Sequence, residues 1–367
     1  MKIMLMACLS VNKARNIYGG AEKSIINLAN WLAKNSEHEI FLVSVEGDVQ
    51  AYPVSENVRF IGNKIANTGR LTTHLRIFRF TKRTIRQIKP DVIISYWIQP
   101  VFYAVLSGCA KNIPMIYSER NDPNLEYGKL AKLMRYVALK AVSKIVFQTS
   151  DAKAFFSADI QRKGVVIHNP VYLKFEDYPI GKQDNRVVAV GRLSKQKNYE
   201  LLIRAFAKIS RHYPELTLEI YGEGSLKEDL SALIQETACD KIILAGAHPD
   251  VLDRIYGARM FVMTSHYEGM PNALMEAMCL GIPVVCSDCP CGGPRELIQT
   301  GVNGYLFSTG DEDDLITKMR LILDNGDNME LRNNEKQITK THSQDRIFTI
   351  WQEVIDSTVK IVSKESL

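Results

Sequence analysis

Short apolar runs alternate with helix-period segments along nearly the whole chain, and the alternation halts once, near residues 169–186, before it resumes. Runs at residues 2–9, 39–45, 91–96, 144–148 and 165–168 read as strands, with helix-like stretches such as 21–33 and 130–141 between them. Strands separated by helices pair through crossovers, so they lie parallel and are covered on both faces. The pause carries Asn169-Pro170, then Lys174, Glu176, Asp177, Pro179, Gly181, Lys182, Gln183 and Asp184, a polar junction rich in turn formers. A second series follows, with strands at 186–191, 216–221, 241–245 and 260–265 and helices at 199–210 and 226–237. Helical segments then run from residue 312 to about 362, long enough for the tail to fold back on the first domain. With 367 residues the chain exceeds one ordinary core. The reading is α/β: two Rossmann-like domains, residues 1–169 and 170–345, with a cleft between them, and a C-terminal helix, 346–367, returning to the N-terminal domain. Ligands of such sheets lie beyond the carboxyl ends of the strands.

Charge is unevenly divided. Residues 1–170 hold 24 Lys and Arg against 12 Asp and Glu, net +12, whereas the remainder holds 22 against 29, net −7. That asymmetry points to an anionic surface or partner for the first half. No apolar run reaches the length of a membrane span. The apolar residues 3–9 are followed by Asn12, Lys13 and Arg15 instead of a small-residue cleavage site, so a first strand and a cytoplasmic location are expected. Of seven cysteines, Cys286, Cys289 and Cys291 crowd together, but they lack a second pair at zinc-site distance and read as reduced structural thiols. No metal and no other cofactor are expected.

The chemistry concentrates in Ser265-His266-Tyr267-Glu268-Gly269-Met270-Pro271-Asn272-Ala273-Leu274-Met275-Glu276. A strand ends at Ser265, a glycine turn follows, and Pro271 stands where a helix begins. Backbone N–H groups of Gly269, Met270, Asn272 and Ala273 would then face outward with the helix dipole behind them, an arrangement suited to a diphosphate. Glu268 and Glu276 flank that cradle. Carboxylates there are unfavourable unless they accept hydrogen bonds from hydroxyls, and sugar and ribose hydroxyls are the obvious donors. The plainer alternative is a capped helix with a solvated glutamate.

Gly191-Arg192-Leu193-Ser194-Lys195-Gln196-Lys197-Asn198 places Arg192 and Lys197 at another strand end, where Arg offers a fork and Lys a point charge to phosphate oxygens. The pair Gly19-Gly20, after the first strand, would let the backbone approach a ligand. Tyr221-Gly222-Glu223-Gly224 reads as backbone room near a base or sugar, since it lacks the third glycine of a dinucleotide fingerprint.

Together these segments resemble the retaining glycosyltransferase family 4, with the GT-B fold, of the kind found in bacterial surface-polysaccharide pathways. The resemblance covers essentially the whole chain. It is most specific between Gly191 and Glu296, through the paired glutamates, Pro283-Val284-Val285-Cys286-Ser287-Asp288 and Gly293-Pro294-Arg295-Glu296. It implies that Glu276 holds the donor ribose and Glu268 the hydroxyls of the donor sugar. Gly269, Met270, Pro271, Asn272 and Leu274 would line the donor, Arg192 and Lys197 would neutralise the departing diphosphate, and Gly19-Gly20 would approach it from the other domain. It further implies metal-independent cleavage with retention. One departure stands out: many members carry a histidine at a first-domain strand end, and here the stretch is Tyr117-Ser118-Glu119-Arg120-Asn121-Asp122-Pro123, with Arg120 in that place. Arginine cannot act as a base near neutrality, so its implied use is to bind an anionic group. The implied reaction is a front-face displacement in which the leaving phosphate takes the acceptor's proton.

In residues 69–90, helical spacing puts Leu71, Leu75, Phe78, Ile85 and Ile88 on one side and Arg76, Arg79, Arg83 and Arg86 on another. A basic amphipathic helix suits the anionic inner face of the cell membrane; an ordinary domain helix with a solvated basic face is the alternative. No nucleic-acid motif accompanies the charge. The expected activity is transfer of a hexose or N-acetylhexosamine from a nucleotide-sugar, UDP preferred, to a lipid-linked or other saccharide acceptor. The competing readings are a GDP-sugar-dependent mannosyltransferase, a nucleotide-sugar epimerase, a phosphorylase, and a non-catalytic nucleotide-sugar-binding subunit. A nicotinamide oxidoreductase lacks its fingerprint.

Overall fold

The computed structural model of the protein describes residues 1–9, 20–48, 52–64, 70–120, 129–174 and 176–365. The chain divides into two compact units, Met1–His168 with Asp345–Leu367, and Asn169–Gln344. Each is built on its own parallel sheet.

In the first unit, β1 (Lys2–Ala7), β2 (Glu39–Ser44), β3 (Val58–Gly62), β4 (Val92–Ser95), β5 (Met115–Glu119), β6 (Lys144–Phe147) and β7 (Gly164–Val166) lie in the order β3-β2-β1-β4-β5-β6-β7. Between them run α1 (Gly20–Asn35), α2 (Arg70–Ile88), α3 (Ile98–Leu106) and α4 (Lys129–Ala141). The alternation along β1 explains the two-sided cover: Ile3 and Leu5 join one apolar cluster, Met4 and Met6 another, all with no exposed surface.

The helix Gln344–Glu365 closes the first of these clusters. Ile347, Phe348, Trp351 and Ile355 recur at helical spacing and pack with Trp31 of α1 and Tyr96. Trp31 Nε1 donates to Asp345 Oδ1 at 2.7 Å, and the Trp31 and Phe348 rings meet edge to face with centroids 5.9 Å apart.

The second unit repeats the plan with β8 (Arg186–Val190), β9 (Thr217–Tyr221), β10 (Ile242–Gly246), β11 (Met260–Met263), β12 (Val284–Ser287) and β13 (Tyr305–Phe307), ordered β10-β9-β8-β11-β12-β13. Here Val187 and Ala189 face one cluster and Val188 the other. Both sheets therefore have the doubly wound order in which the chain steps outward on one side of its first strand, then crosses to the other side. Four strands, β3, β5, β12 and β13, have no counterpart among the runs read from the sequence. β3 and β13 are edges, which bury less and need fewer apolar residues to mark them, whereas β5 and β12 are interior and fully buried.

The apolar stripe of α2 differs from the expected one. Ile77, Phe80, Thr81, Thr84, Ile85 and Ile88 are buried, while Leu75 is 47% exposed. Thr81 and Thr84 conceal the stripe in the sequence because they are polar, and Leu75 sits among the exposed Arg76, Arg79, Arg83 and Arg86. The side chain of Leu71 lies outside the described residues. Among the described residues no helix is long and apolar enough to cross a membrane.

Trp351→Ala removes a large, fully buried ring from the first unit and should cost about 3–5 kcal/mol of its stability. The remaining tryptophans, Trp31 and Trp97, lie in the same unit, so urea unfolding followed by their fluorescence reads that loss directly. An unchanged midpoint would contradict the docking of this helix.

Candidate active site

In the second unit β8 and β11 are neighbours, and their outgoing helices, Tyr199–Ile209 and Asn272–Cys279, cover opposite faces of the sheet. This is the switch point where a doubly wound sheet leaves room for a ligand. The two loops that meet there carry Arg192 with Lys197 and Glu268, and Glu276 follows in the helix Asn272–Cys279.

The loops are tied together by their own polar groups. Thr264 Oγ1 donates to the carbonyls of Lys197 and Asn198 at 2.9 and 3.0 Å. His266 N donates to Gln196 O at 2.8 Å, and Gln196 Nε2 returns a bond to Tyr267 O at 2.9 Å. Asn198, in the left-handed region at φ 47°, ends the single 3-10 turn Lys195–Lys197 and starts the next helix. Lys197 is thereby aimed inward. Its Nζ donates to Glu268 Oε1 at 2.6 Å, with the side chains only 15% and 10% exposed. Ser265 Oγ donates to that same oxygen at 2.7 Å. Charges this enclosed need partners, and here each supplies the other's.

Tyr199 stands beneath the pair, its hydroxyl fully buried and unpartnered among the described residues. Burial, with the Glu268 charge second, pushes its ionisation upward, so it stays neutral.

The turn after Glu268 leads to Pro271, which is the N-cap (φ −77°) and not the first helical residue; the helix begins at Asn272. No side chain caps it, so the first-turn N–H groups of Asn272, Ala273 and Leu274 have neither an intrahelical nor a capping acceptor. Asn169 Nδ2 donates to Met270 O at 3.2 Å and to Asn272 Oδ1 at 2.9 Å, steadying the entry. Glu276 lies half-buried in the second turn. Arg192 is exposed and makes no ion pair among the described residues.

The segment after β12 backs this turn. Glu268 N donates to Pro290 O at 3.3 Å, and a Cβ on Gly293 would stand 1.7 Å from Gly269 O. Cys286, Cys289 and Cys291 are buried. Burial, with Glu268 adding to it, pushes the Cys289 thiol up to about 12, so Cys289 carries no thiolate near neutrality. Among the described residues, no group of His, Cys, Asp and Glu could hold a metal ion.

The room read at Gly222 and Gly224 is taken by the protein itself. A Cβ on Gly222 (φ 150°) would stand 1.9 Å from Gly191 O, and one on Gly224 2.1 Å from Leu193 O. These glycines let the loops after β8 and β9 zip together, with Leu193 N donating to Glu223 O at 3.0 Å.

In the first unit Gly20 opens α1, while Gly19 lies outside the described residues. Arg120 follows β5 and lies over the Tyr96 ring, 3.9 Å from its centroid, with Nε donating to Ser118 Oγ at 2.9 Å. Tyr96 in turn packs on Trp351, centroids 5.6 Å apart. Sequence reasoning overlooked Ser265, Tyr199 and Asn169 as members of the site. The available signal for Ser265 was its spacing three residues before Glu268, within reach across one turn.

Residues 173–342 match the family described as Glycosyl transferases group 1, and residues 18–175 match Glycosyltransferase Family 4. The chain is 32% identical, over 348 residues, to the N-acetylgalactosamine-N,N'-diacetylbacillosaminyl-diphospho-undecaprenol 4-alpha-N-acetylgalactosaminyltransferase of Campylobacter jejuni, covering 89% of this chain and 92% of that one. Among solved structures, the lipopolysaccharide outer core galactosyltransferase WaaB in its apo form superposes with a TM-score of 0.73 at 20% identity, covering 97% of this chain and 99% of that one. HepE of Anabaena, in complex with UDP-glucose, gives 0.76 at 17% identity, covering 97% and 100%.

Gly293→Ala should displace the Glu268 turn, because the new methyl meets a backbone oxygen that cannot swing aside. Overpacking of this kind costs about 1–3 kcal/mol. Thermal unfolding of the variant checks it, and a wild-type melting temperature would show that the contact is slack.

Proposed function

Because the chain belongs to glycosyltransferase family 4, we propose that it moves a hexose or N-acetylhexosamine from a nucleotide-sugar, with UDP before GDP as the nucleotide, to a lipid-linked saccharide acceptor. The observation that carries this reading is the Lys197–Glu268–Ser265 group beside an uncapped helix start at the switch point of the second sheet. A cation, a carboxylate and free N–H groups within one pocket edge suit a ligand that is both anionic and rich in hydroxyls. The donor diphosphate takes Arg192, Lys197 and the N–H groups of Asn272, Ala273 and Leu274. Glu268 accepts from the sugar and Glu276 from the ribose. The glycosyl C1–O bond to the phosphate breaks while the acceptor oxygen bonds to C1 from the same face, and the acceptor's proton passes to the leaving phosphate. Arg192 and Lys197 offset the charge that grows on that phosphate, with no metal needed.

The acceptor belongs to the first unit, where Arg120 offers a fixed guanidinium to an anionic group. The Campylobacter jejuni relative carries a diphospho-undecaprenol acceptor in its name, which supports a lipid-linked acceptor here. α2 supports peripheral attachment to an anionic membrane. Its exposed Arg76, Arg79, Arg83 and Arg86 form a cationic face with the exposed Leu75 at its margin.

Three outcomes test these assignments. Glu276→Ala should weaken nucleotide-sugar binding by about 1.5–3 kcal/mol in calorimetry; unchanged affinity in a folded variant removes Glu276 from the donor site. Lys197→Ala should lower turnover more than donor affinity, since its charge acts on the transition state, and EDTA should leave wild-type activity intact. Loss with EDTA and recovery with Mg²⁺ would put a metal in that role. Replacing all four α2 arginines with glutamine should abolish sedimentation with anionic vesicles, each cation near such a surface contributing about 1 kcal/mol within a Debye length of about 8 Å. Equal sedimentation of both proteins would take α2 out of the account.

A further inference from the structure

We infer that Ser265 is a positioning residue that holds the Glu268 carboxylate for recognition of the donor sugar, an inference that rests on the donor reading of this site. Ser265 has no exposed surface. Its backbone is clamped, because Ser287 Oγ donates to Ser265 O at 2.7 Å from the end of the neighbouring β12. Its hydroxyl then donates to Glu268 Oε1 at 2.7 Å. Lys197 reaches that same oxygen at 2.6 Å. Both bonds fall on Oε1, and Oε2 has no hydrogen-bond partner among the described residues while not being sealed from solvent. The carboxylate is thus divided into a held oxygen and a presented one.

The two holders differ in what an incoming diphosphate does to them. Lys197 carries a full charge on a flexible stem with three N–H donors, and a nearby anion draws it away. Ser265 is neutral, short and pinned at its backbone, so the anion does not move it. When the donor binds, the serine keeps Glu268 oriented and Oε2 turned toward a ring hydroxyl. Loss of the serine hydroxyl therefore affects the sugar and spares the nucleoside diphosphate.

The experiment compares wild type, Ser265→Ala and Ser210→Ala by calorimetry. The ligands are UDP, GDP and whichever UDP- or GDP-sugar in a commercial panel raises the wild-type melting temperature. Ser210→Ala is the control, because it deletes a buried hydroxyl hydrogen bond of the same unit, Ser210 Oγ to Ala207 O at 3.1 Å, at the C-terminal end of the helix Tyr199–Ile209. Expected is a nucleotide-sugar affinity lower by about tenfold in Ser265→Ala with nucleoside-diphosphate affinity within about twofold of wild type. Ser210→Ala should keep the wild-type ratio of the two affinities, whatever its melting temperature. Equal losses for both ligands in Ser265→Ala, no loss for either, or the same altered ratio in Ser210→Ala overturns the inference. If no nucleotide-sugar binds wild type, the donor reading fails and takes the inference with it. If wild type binds and the Ser265→Ala ratio is unchanged, only the inference fails.

Discussion

A parallel sheet must bury both faces, and in the second unit that demand sends the helices leaving β8 and β11 to opposite sides. Neither helix can cover the carboxyl ends of the two strands it diverges from, so the chain there is finished by loops alone. Everything chemical in this unit sits in that gap. Thr264, His266 and Gln196 sew the two loops to each other, and the sewing turns Lys197 and Glu268 face to face. The glycines of the loop after β9 complete the wall by allowing backbone to lie directly on backbone.

The pairing of Lys197 with Glu268 is a compromise between folding and binding. A lone charge as enclosed as either would be costly, and the opposite charge removes most of that cost. The same pair leaves a cation ready for an anion, at the expense of one hydrogen bond when the anion arrives. Two ionisable neighbours add no charge of their own: the Cys289 thiol and the Tyr199 phenol, both beside Glu268, are held neutral by burial.

What the chain disclosed in advance was whatever depends on pattern. Alternating strand and helix runs, the polar pause at residues 169–186 and charged residues at strand ends are all local signals, and they led to two doubly wound sheets and to Lys197 and Glu268. What stayed hidden depends on partners distant in sequence. Ser265 looked like the last residue of a strand, because a serine gains its meaning only from the carboxylate it reaches. Gly222 and Gly224 looked like space for a ligand, whereas the carbonyls that fill the space come from a loop some thirty residues earlier. In α2, two buried threonines broke the apolar stripe and Leu75 imitated it. Asn169 bonds to Met270 and Asp345 to Trp31, partners that no local pattern names.

The first unit is discontinuous, and that has a consequence for the order in which the molecule is made. Phe348, Trp351 and Ile355 complete a core whose other members include Ile3, Leu5 and Trp31, yet they leave the ribosome only after all of residues 169–344. The second unit is one unbroken stretch and can close while translation continues. The unit begun first is therefore finished last, and during that interval Trp31 and Tyr96 lack the indole and phenyl rings that later cover them. Nascent chains of this protein carry an open apolar seam through most of their synthesis, a natural place for a chaperone to hold.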